Sequence, residues 1–127
     1  MLKLLLDEHL SPRIAQQFRT KWPRAQIESV LFWQDGRFAG VPDEVLLTEA
    51  HERGWTLVTY DLATIVPLLK TWGEQGTEHG GVILVDNHTL AANDVGGLLQ
   101  ALSMVWTAEK NADWKNAVIY LSRSNDT

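Results

Sequence analysis

The residues best suited to chemistry are aspartates that directly follow short apolar runs. Asp7 follows "LLL", Asp61 follows "TLVTY", and Asp86 follows "GGVILV". Asp43 stands after a proline in "VPDEV", where a helix is expected to begin. Carboxylates held close together repel one another, and a hard divalent cation such as Mg²⁺ or Mn²⁺ relieves that repulsion. Because such an ion activates water and neutralises a phosphodiester, clustered aspartates would favour metal-dependent phosphodiester chemistry.

The elements that must position these aspartates alternate along the chain. Apolar runs predict β-strands at residues 3–7, 25–32, 56–61, 80–86 and 114–122. Helical patterns lie between them, at Ser11 to about Trp22, 42–54, part of 62–76, and about Asn93 to Lys110. Ser11 before Pro12 suits a helix start, Gly54 suits a helix end, and Pro67 is expected to interrupt the third helix. Residues 33–41 are predicted to form a loop rich in Gly and aromatic side chains.

Strands that alternate with helices are typical of an α/β fold. We expect a three-layer α/β/α arrangement around a mostly parallel five-stranded sheet, with strand one central, beside strands two and three. In such sheets ligands bind beyond the carboxyl ends of the strands. Asp7, Asp61 and Asp86 end strands, and the helix that opens at Asp43 starts at the same edge. The four carboxylates are therefore expected to meet there.

Each acid also has a simpler structural explanation. An isolated Asp43 is best explained as a helix N-cap, and Asp61 suits the same role before the next helix. Asp86, in "VDNH", is better explained by an Asx turn. Glu8 fits a solvated loop acid as well as it fits a site residue. Asp7 is the hardest to explain structurally, because the adjacent helix already has its N-cap, so the joint placement of the acids is the signal.

Composition limits the classes of protein that remain. The chain has 127 residues, 45% of them hydrophobic, which fits a single domain over residues 1–127. No apolar run approaches the ~18 residues that cross a membrane, and "MLKLLL" is too short for a signal peptide. The absence of cysteine excludes disulfides and thiolate metal sites and fits the cytoplasm. The net charge of −5 disfavours a broad nucleic-acid surface but not one local site.

Histidine and aromatic residues give weaker signals. The four histidines include no pair at the spacing of a zinc site. His9 lies beside the first acids in sequence, and substrate contact is a minor alternative for it. Phe32, Trp33 and Phe38 flank the predicted loop, where they are suited to stacking on bases or meeting a partner, although local packing is the commonest outcome.

Two segments resemble small PIN-like proteins. "LLLDEHLSPRIA" is similar to their opening, in which the first strand ends in an acidic pair before a Ser-Pro helix start. "PDEVLLTEAHERGWTLVTYD" is similar to their middle segment, in which an Asp opens a helix, Gly follows, and a strand then ends in Thr-x-Asp. The likeness covers about residues 1–86, and beyond them only the helix-then-strand pattern matches.

PIN domains are metal-dependent nucleases, and many are the RNA-cleaving toxins of toxin–antitoxin pairs. The resemblance implies that Asp7, Asp43 and Asp61 are both the catalytic residues and the ligands of Mg²⁺ or Mn²⁺. It also implies an RNA substrate, an antitoxin protein as partner, and a homodimer. Further candidates for the site are two more acids and the supporting hydroxyl of the Thr-x-Asp turn: Glu8, Asp86 and Thr59.

Two other functions fit parts of the sequence. In PIN domains Thr-x-Asp usually continues to a second Asp followed by Phe, whereas "TYDLAT" has Ala63 and Thr64. This difference favours, as an alternative, a catalytically weakened PIN-like protein that acts through a protein partner. A response-regulator receiver also has an acidic pair after strand one, but needs a hydroxyl after strand four and Lys after strand five. Asp86, Asn87 and Arg123 stand near those places, so the receiver is the weakest interpretation.

Overall fold

The computed structural model describes residues 1–123, in which helices cover both faces of one five-stranded sheet. The strands are β1 Lys3–Leu6, β2 Gln26–Ser29, β3 Thr56–Thr59, β4 Val82–Val85 and β5 Val118–Leu121. The helices are α1 Pro12–Lys21, α2 Asp43–Arg53, α3 Leu62–Gln75 and α4 Val95–Glu109, with a short 3-10 helix at Trp33–Gly36. Among these described helices, none is both long and apolar enough to cross a membrane. The α/β prediction is confirmed, although each strand is shorter than its predicted range.

The strand order places the predicted acids at one edge of the sheet. The order is β2-β1-β3-β4-β5, and every pair of neighbours is parallel. β1 lies between β2 and β3 as predicted, but the middle strand is β3 rather than β1. In the β1–β3 register Leu6 pairs with Val58, so these strands end level with one another. We call the edge where the strands end the carboxyl edge; Asp7, Asp61 and Asp86 follow β1, β3 and β4 there.

Two apolar clusters hold the helices to the two faces of the sheet. Successive side chains of a strand point to opposite faces, so Leu4 and Leu6 of β1 join one cluster while Leu5 joins the other. Burial on both faces explains why β1 is a continuous apolar run. α1 and α4 pack on the first cluster, and α2 and α3 on the second. Their buried residues include Ile14, Phe18, Leu98 and Leu102 on the first face and Leu46, Leu47, Ile65 and Trp72 on the second.

Pro67 does not interrupt α3, contrary to the prediction from sequence. The helix is continuous and contains Pro67 in its second turn. Proline removes one backbone hydrogen bond, here the one to the carbonyl of Ala63. Both residues are exposed, so water can satisfy that carbonyl, while Ile65 and Trp72 on the other side of the helix are buried against the sheet. Burial of one face therefore outweighs the loss of a single bond.

The predicted loop at 33–41 begins as a 3-10 helix that packs on the protein itself. Trp33 is buried, and its ring lies 5.2 Å from that of Phe38 between centroids. Phe32 is exposed. Inside the 3-10 helix Gln34 and Asp35 have φ of 51° and 59°, a left-handed conformation that is uncommon for residues other than glycine. Local packing is thus the role of Trp33 and Phe38.

Leu5 tests the assignment of the core. Its side chain is fully buried in β1, so Leu5→Ala should leave a cavity and lower the free energy of unfolding by about 2–5 kcal/mol. Urea denaturation measures this change. Met104→Ala, at an exposed position of α4, is the control and should change it by less than about 0.5 kcal/mol. Equal losses for the two variants would contradict this core.

Candidate functional site

Asp7 is a buried carboxylate that directly follows β1. Only 6% of the residue is exposed. Its Oδ1 accepts a hydrogen bond from the backbone N–H of Glu8 at 2.7 Å, and its Oδ2 accepts one from the hydroxyl of Thr59 at 2.7 Å. A buried carboxylate is tolerated only when donors of this kind replace water. The two bonds therefore fix the carboxylate of Asp7 at the carboxyl edge.

Thr59 connects Asp7 to the end of β3. Its side chain is fully buried. Its hydroxyl donates to Oδ2 of Asp7 and accepts from the backbone N–H of Asp61 at 3.0 Å, which uses both capacities of one hydroxyl. The structure thus places Thr59 where the supporting hydroxyl of a Thr-x-Asp turn would lie.

The carboxyl groups of Asp43 and Asp61 lie close to one another and to Asp7, near enough for each of the two to shift the pKa of the other. The N-cap explanation of Asp43 is wrong: Pro42 occupies the N-cap position, and Asp43 is the first residue of α2. At that position the positive end of the helix dipole stabilises a negative charge on Asp43. The cap explanation of Asp61 is confirmed, since its Oδ1 accepts from the backbone N–H of Thr64 at 3.1 Å. Asp61 is therefore both the N-cap of α3 and the partner of Asp43.

The two carboxyl groups shift each other's pKa in opposite directions. Burial, the hydrogen bond to Asp61 and the negative charges of Asp61 and Asp7 together raise the pKa of Asp43 from 3.8 to about 6. Burial also acts to raise the pKa of Asp61, but hydrogen bonds from Asp43 and Thr64 outweigh it and lower that pKa. The charge of His9 acts to lower the pKa of both aspartates. This split is typical of two carboxyl groups in one site.

Glu8 and Asp86 are placed differently from the other acids. The side chain of Glu8 is exposed, and it is the backbone N–H of this residue that contacts Asp7. Asp86 forms the expected Asx turn, in which its Oδ1 accepts from the backbone N–H of His88 at 3.0 Å. Asp86 and Asp61 also line the same cleft of about 240 Å³ between the ends of β3 and β4. Asp86 thus neighbours the site while its carboxylate has a structural role.

A second network at the carboxyl edge had no counterpart in the predicted site. Asp94 is the N-cap of α4: its Oδ1 accepts from the backbone N–H of Gly97 at 2.9 Å, and its Oδ2 binds Arg123. Arg123 also donates to the carbonyl of Thr89 at 3.2 Å, and the hydroxyl of Thr89 donates to Asp86 at 3.3 Å. The sequence could have identified Asp94 as a helix cap, because an Asp before a helical pattern is a recognisable signal. It carries no signal for the pairing of Asp94 with Arg123, 29 positions away. Because Arg123 binds Asp94, the receiver interpretation lacks its free cation.

The donors at the carboxyl edge suit a hard divalent cation. They are carboxylate oxygens, and Mg²⁺ is commonly held by one or two carboxylates together with waters and substrate phosphates. The raised pKa of Asp43 reflects a repulsion that a cation would relieve. Within residues 1–123 no group of three or more His, Asp or Glu side chains is arranged to hold an ion. Asp43 and Asp61 offer carboxylate oxygens of the type that Mg²⁺ accepts, and Asp7 adds negative charge beside them.

The comparison with known families agrees with this placement. A family model described as "PIN like domain" matches residues 2–65. The matched range contains β1, α2 and β3 and carries Asp7, Asp43 and Asp61. The chain therefore belongs to the PIN-like domain family, and the resemblance seen in the sequence is confirmed. No curated protein and no solved structure matches the chain significantly.

Thr59→Val tests the hydroxyl that links Asp7 to Asp61. Valine keeps the shape but removes the donor, which leaves a buried carboxylate oxygen of Asp7 unsatisfied. The free energy of unfolding should fall by about 1–3 kcal/mol in urea denaturation. In the matched control Thr48→Val, the lost hydroxyl bonds the carbonyl of Glu44 on the surface of α2, and the change should stay below about 0.5 kcal/mol. A wild-type value for Thr59→Val would contradict the proposed link.

The pKa of Asp43 predicts how stability varies with pH. The pKa of Asp43 is about 6 in the folded protein and 3.8 in the unfolded chain. The folded state therefore binds this proton more tightly, and protonation of Asp43 favours folding. That contribution is fully present below pH 3.8 and is lost as pH rises through about 6. Asp43→Asn is neutral throughout, so with EDTA present it should melt at a higher temperature than the wild type at pH 8. The difference should shrink toward pH 4, and a gap that widens there would contradict the raised pKa.

Proposed function

We propose that this protein is a metal-dependent ribonuclease and the toxin of a toxin–antitoxin pair. The observation that carries the proposal is the convergence of three aspartates at the carboxyl edge: Thr59 links Asp7 to Asp61, and Asp43 lies close enough to both for their charges to raise its pKa. Perturbed carboxyl groups that converge from separate elements are more typical of a functional site than of surface acids. Membership of the PIN-like family supports the same reaction class.

Asp43 and Asp61 would hold Mg²⁺ or Mn²⁺, and Asp7 would add the negative charge that favours its binding. When bound, such an ion supplies activation of water and neutralisation of charge on a phosphodiester. The protein contributes preorganisation: Thr59 holds the carboxylate of Asp7 and the backbone of Asp61 at once. Asp43, whose pKa is raised to about 6, must be ionised before both carboxylates can act as ligands.

The substrate would lie across the carboxyl edge, along the cleft beside Asp61. That cleft is lined by side chains from the ends of β3 and β4, among them Tyr60 and His88. His9 is close enough to the aspartate pair to affect the pKa of both members, so it stands where a phosphate group would approach. A metal ion between the acids and the RNA would let a chain of net charge −5 bind a polyanion. The antitoxin and a homodimeric assembly are part of the same proposal.

A second candidate is a catalytically weakened PIN-like protein that acts through a partner. It is favoured by Ala63, which is exposed and lines the cleft close to where the family usually has a further Asp. The lack, within the described part of the chain, of a ready group of three ligands points the same way. RNA cleavage at a useful rate by protein free of contaminating nuclease would exclude this candidate.

Asp61→Asn tests the nuclease directly. Asparagine still caps α3, so the fold should persist, but one anionic ligand is lost. Calorimetry should show that Mn²⁺ binds at least about tenfold more weakly. Cleavage of a labelled single-stranded RNA should slow at least about 100-fold, which corresponds to about 2.7 kcal/mol of transition-state stabilisation.

Asp113→Asn is the matched control, because Asp113 also forms an Asx turn, accepting from the backbone N–H of Lys115 at 3.0 Å, and it lies before β5, away from the carboxyl edge. It should leave both Mn²⁺ binding and cleavage close to the wild type. Metal-dependent cleavage that survives Asp61→Asn would contradict the assignment of these residues. A wild type that binds Mn²⁺ and leaves the RNA intact would favour the weakened PIN-like protein.

A further inference from the structure

The outer edge of β2 is closed by side chains. Arg19 donates from Nη1 to the carbonyl of Ile27 at 2.5 Å, and Glu28 accepts at Oε1 from the backbone N–H of Ser29 at 3.2 Å. Arg19 and Glu28 also form an ion pair of 3.8 Å between Nη1 and Oε1. Charged side chains placed in this way prevent an edge strand from pairing with another chain.

The outer edge of β5, at the opposite side of the sheet, is not closed in this way. The carbonyls of Ala117 and Leu121 accept hydrogen bonds from the β4 side of the ladder. Since alternate residues of a parallel strand face its neighbour, Val118 and Tyr120 direct their N–H and C=O groups away from β4. Within residues 1–123 no hydrogen bond uses these outward groups. The strand, "VIYL", also contains no proline and no charged residue.

Open clefts flank β5 on both faces of the sheet. On the α3 side a cleft of about 400 Å³ is of mixed character, with Leu69 and Val118 beside polar residues such as Glu78. Val118 and Tyr120 share this face and are 43% and 64% exposed. On the α4 side a cleft of about 320 Å³ is lined by Val105 and Ile119, among others. An extended segment beside β5 would therefore place alternate side chains in opposite clefts.

The charges around these clefts indicate which kind of segment the edge of β5 would bind. Glu109 and Asp113 line the cleft on the α4 side, where the lining residues include no cation. The ion pairs formed within residues 1–123 include neither acid. A segment with Lys or Arg beside its apolar residues would complement them, whereas a second copy would bring another chain of net charge −5.

We infer that the outer edge of β5 binds an extended segment of another protein by β-strand addition. The main-chain groups of Val118 and Tyr120 supply the hydrogen bonds, and the two clefts accept alternate side chains, with apolar ones favoured in the cleft on the α4 side. Glu109 and Asp113 favour flanking Lys or Arg residues. The inference does not depend on the proposed nuclease, because none of these residues belongs to the aspartate site.

A fluorescent peptide, Lys-Lys-Val-Leu-Val-Lys-Lys, is the probe for this edge. Its anisotropy should rise saturably with wild-type protein, and a version with Glu in place of every Lys should bind at least about fivefold more weakly. Tyr120→Pro removes an outward N–H while leaving the bonds to β4 intact, so it should weaken binding about tenfold. Tyr120→Thr removes the ring but keeps the N–H, and it should weaken binding less than about threefold.

A variant of the two acids beside β5, Glu109 and Asp113, tests the same edge without altering the strand. Glu109→Gln combined with Asp113→Asn changes exposed side chains only, so it should fold normally and should bind the lysine peptide about fivefold more weakly. Absence of saturable binding by the wild type would overturn the inference. So would equal binding by Tyr120→Pro, if thermal unfolding shows that variant to be folded. A peptide-free dimer of the wild type in sedimentation that Tyr120→Pro abolishes would also overturn it, since a second copy would then be the occupant.

Discussion

The buried carboxylate of Asp7 sets the main constraint on the site. Such a group must receive hydrogen bonds from the protein because it receives few from water. Glu8 provides one from the next peptide, and Thr59 provides the other from a neighbouring strand. Since the same hydroxyl also holds the backbone of Asp61, β1 and β3 must be adjacent and in register for the site to exist. The parallel sheet is therefore what brings the acids together.

The same arrangement carries an energetic penalty that points to function. Asp43 sits half-buried against Asp61 and near Asp7, and its raised pKa shows that its ionised form is disfavoured there. A fold under selection for stability alone would have little reason to keep three aspartates so close. A cation that binds between them would remove this penalty. The closeness of the aspartates would thus explain both the raised pKa of Asp43 and the proposed metal chemistry.

The two edge strands of the sheet, β2 and β5, differ in how their outward main-chain groups are satisfied. Arg19 and Glu28 bond outward main-chain groups of β2, whereas β5 leaves those of Val118 and Tyr120 open between two clefts. An unprotected edge is a liability in a parallel sheet unless another segment covers it. This asymmetry separates the proposed partner-binding surface at β5 from the carboxyl edge, where the aspartates lie.

Local sequence determined where most helices begin and end, because caps and turns act within a few residues. Ser11 before Pro12 and Gly54 marked helix ends that the structure contains, and the aspartates after apolar runs marked the carboxyl edge. The tertiary structure alone decided that α3 continues through Pro67, that Asp43 pairs with Asp61, and that Thr59 reaches Asp7 across 52 residues. Those outcomes depend on which faces are buried and which strands are neighbours, and contacts between distant residues have no local sequence signal.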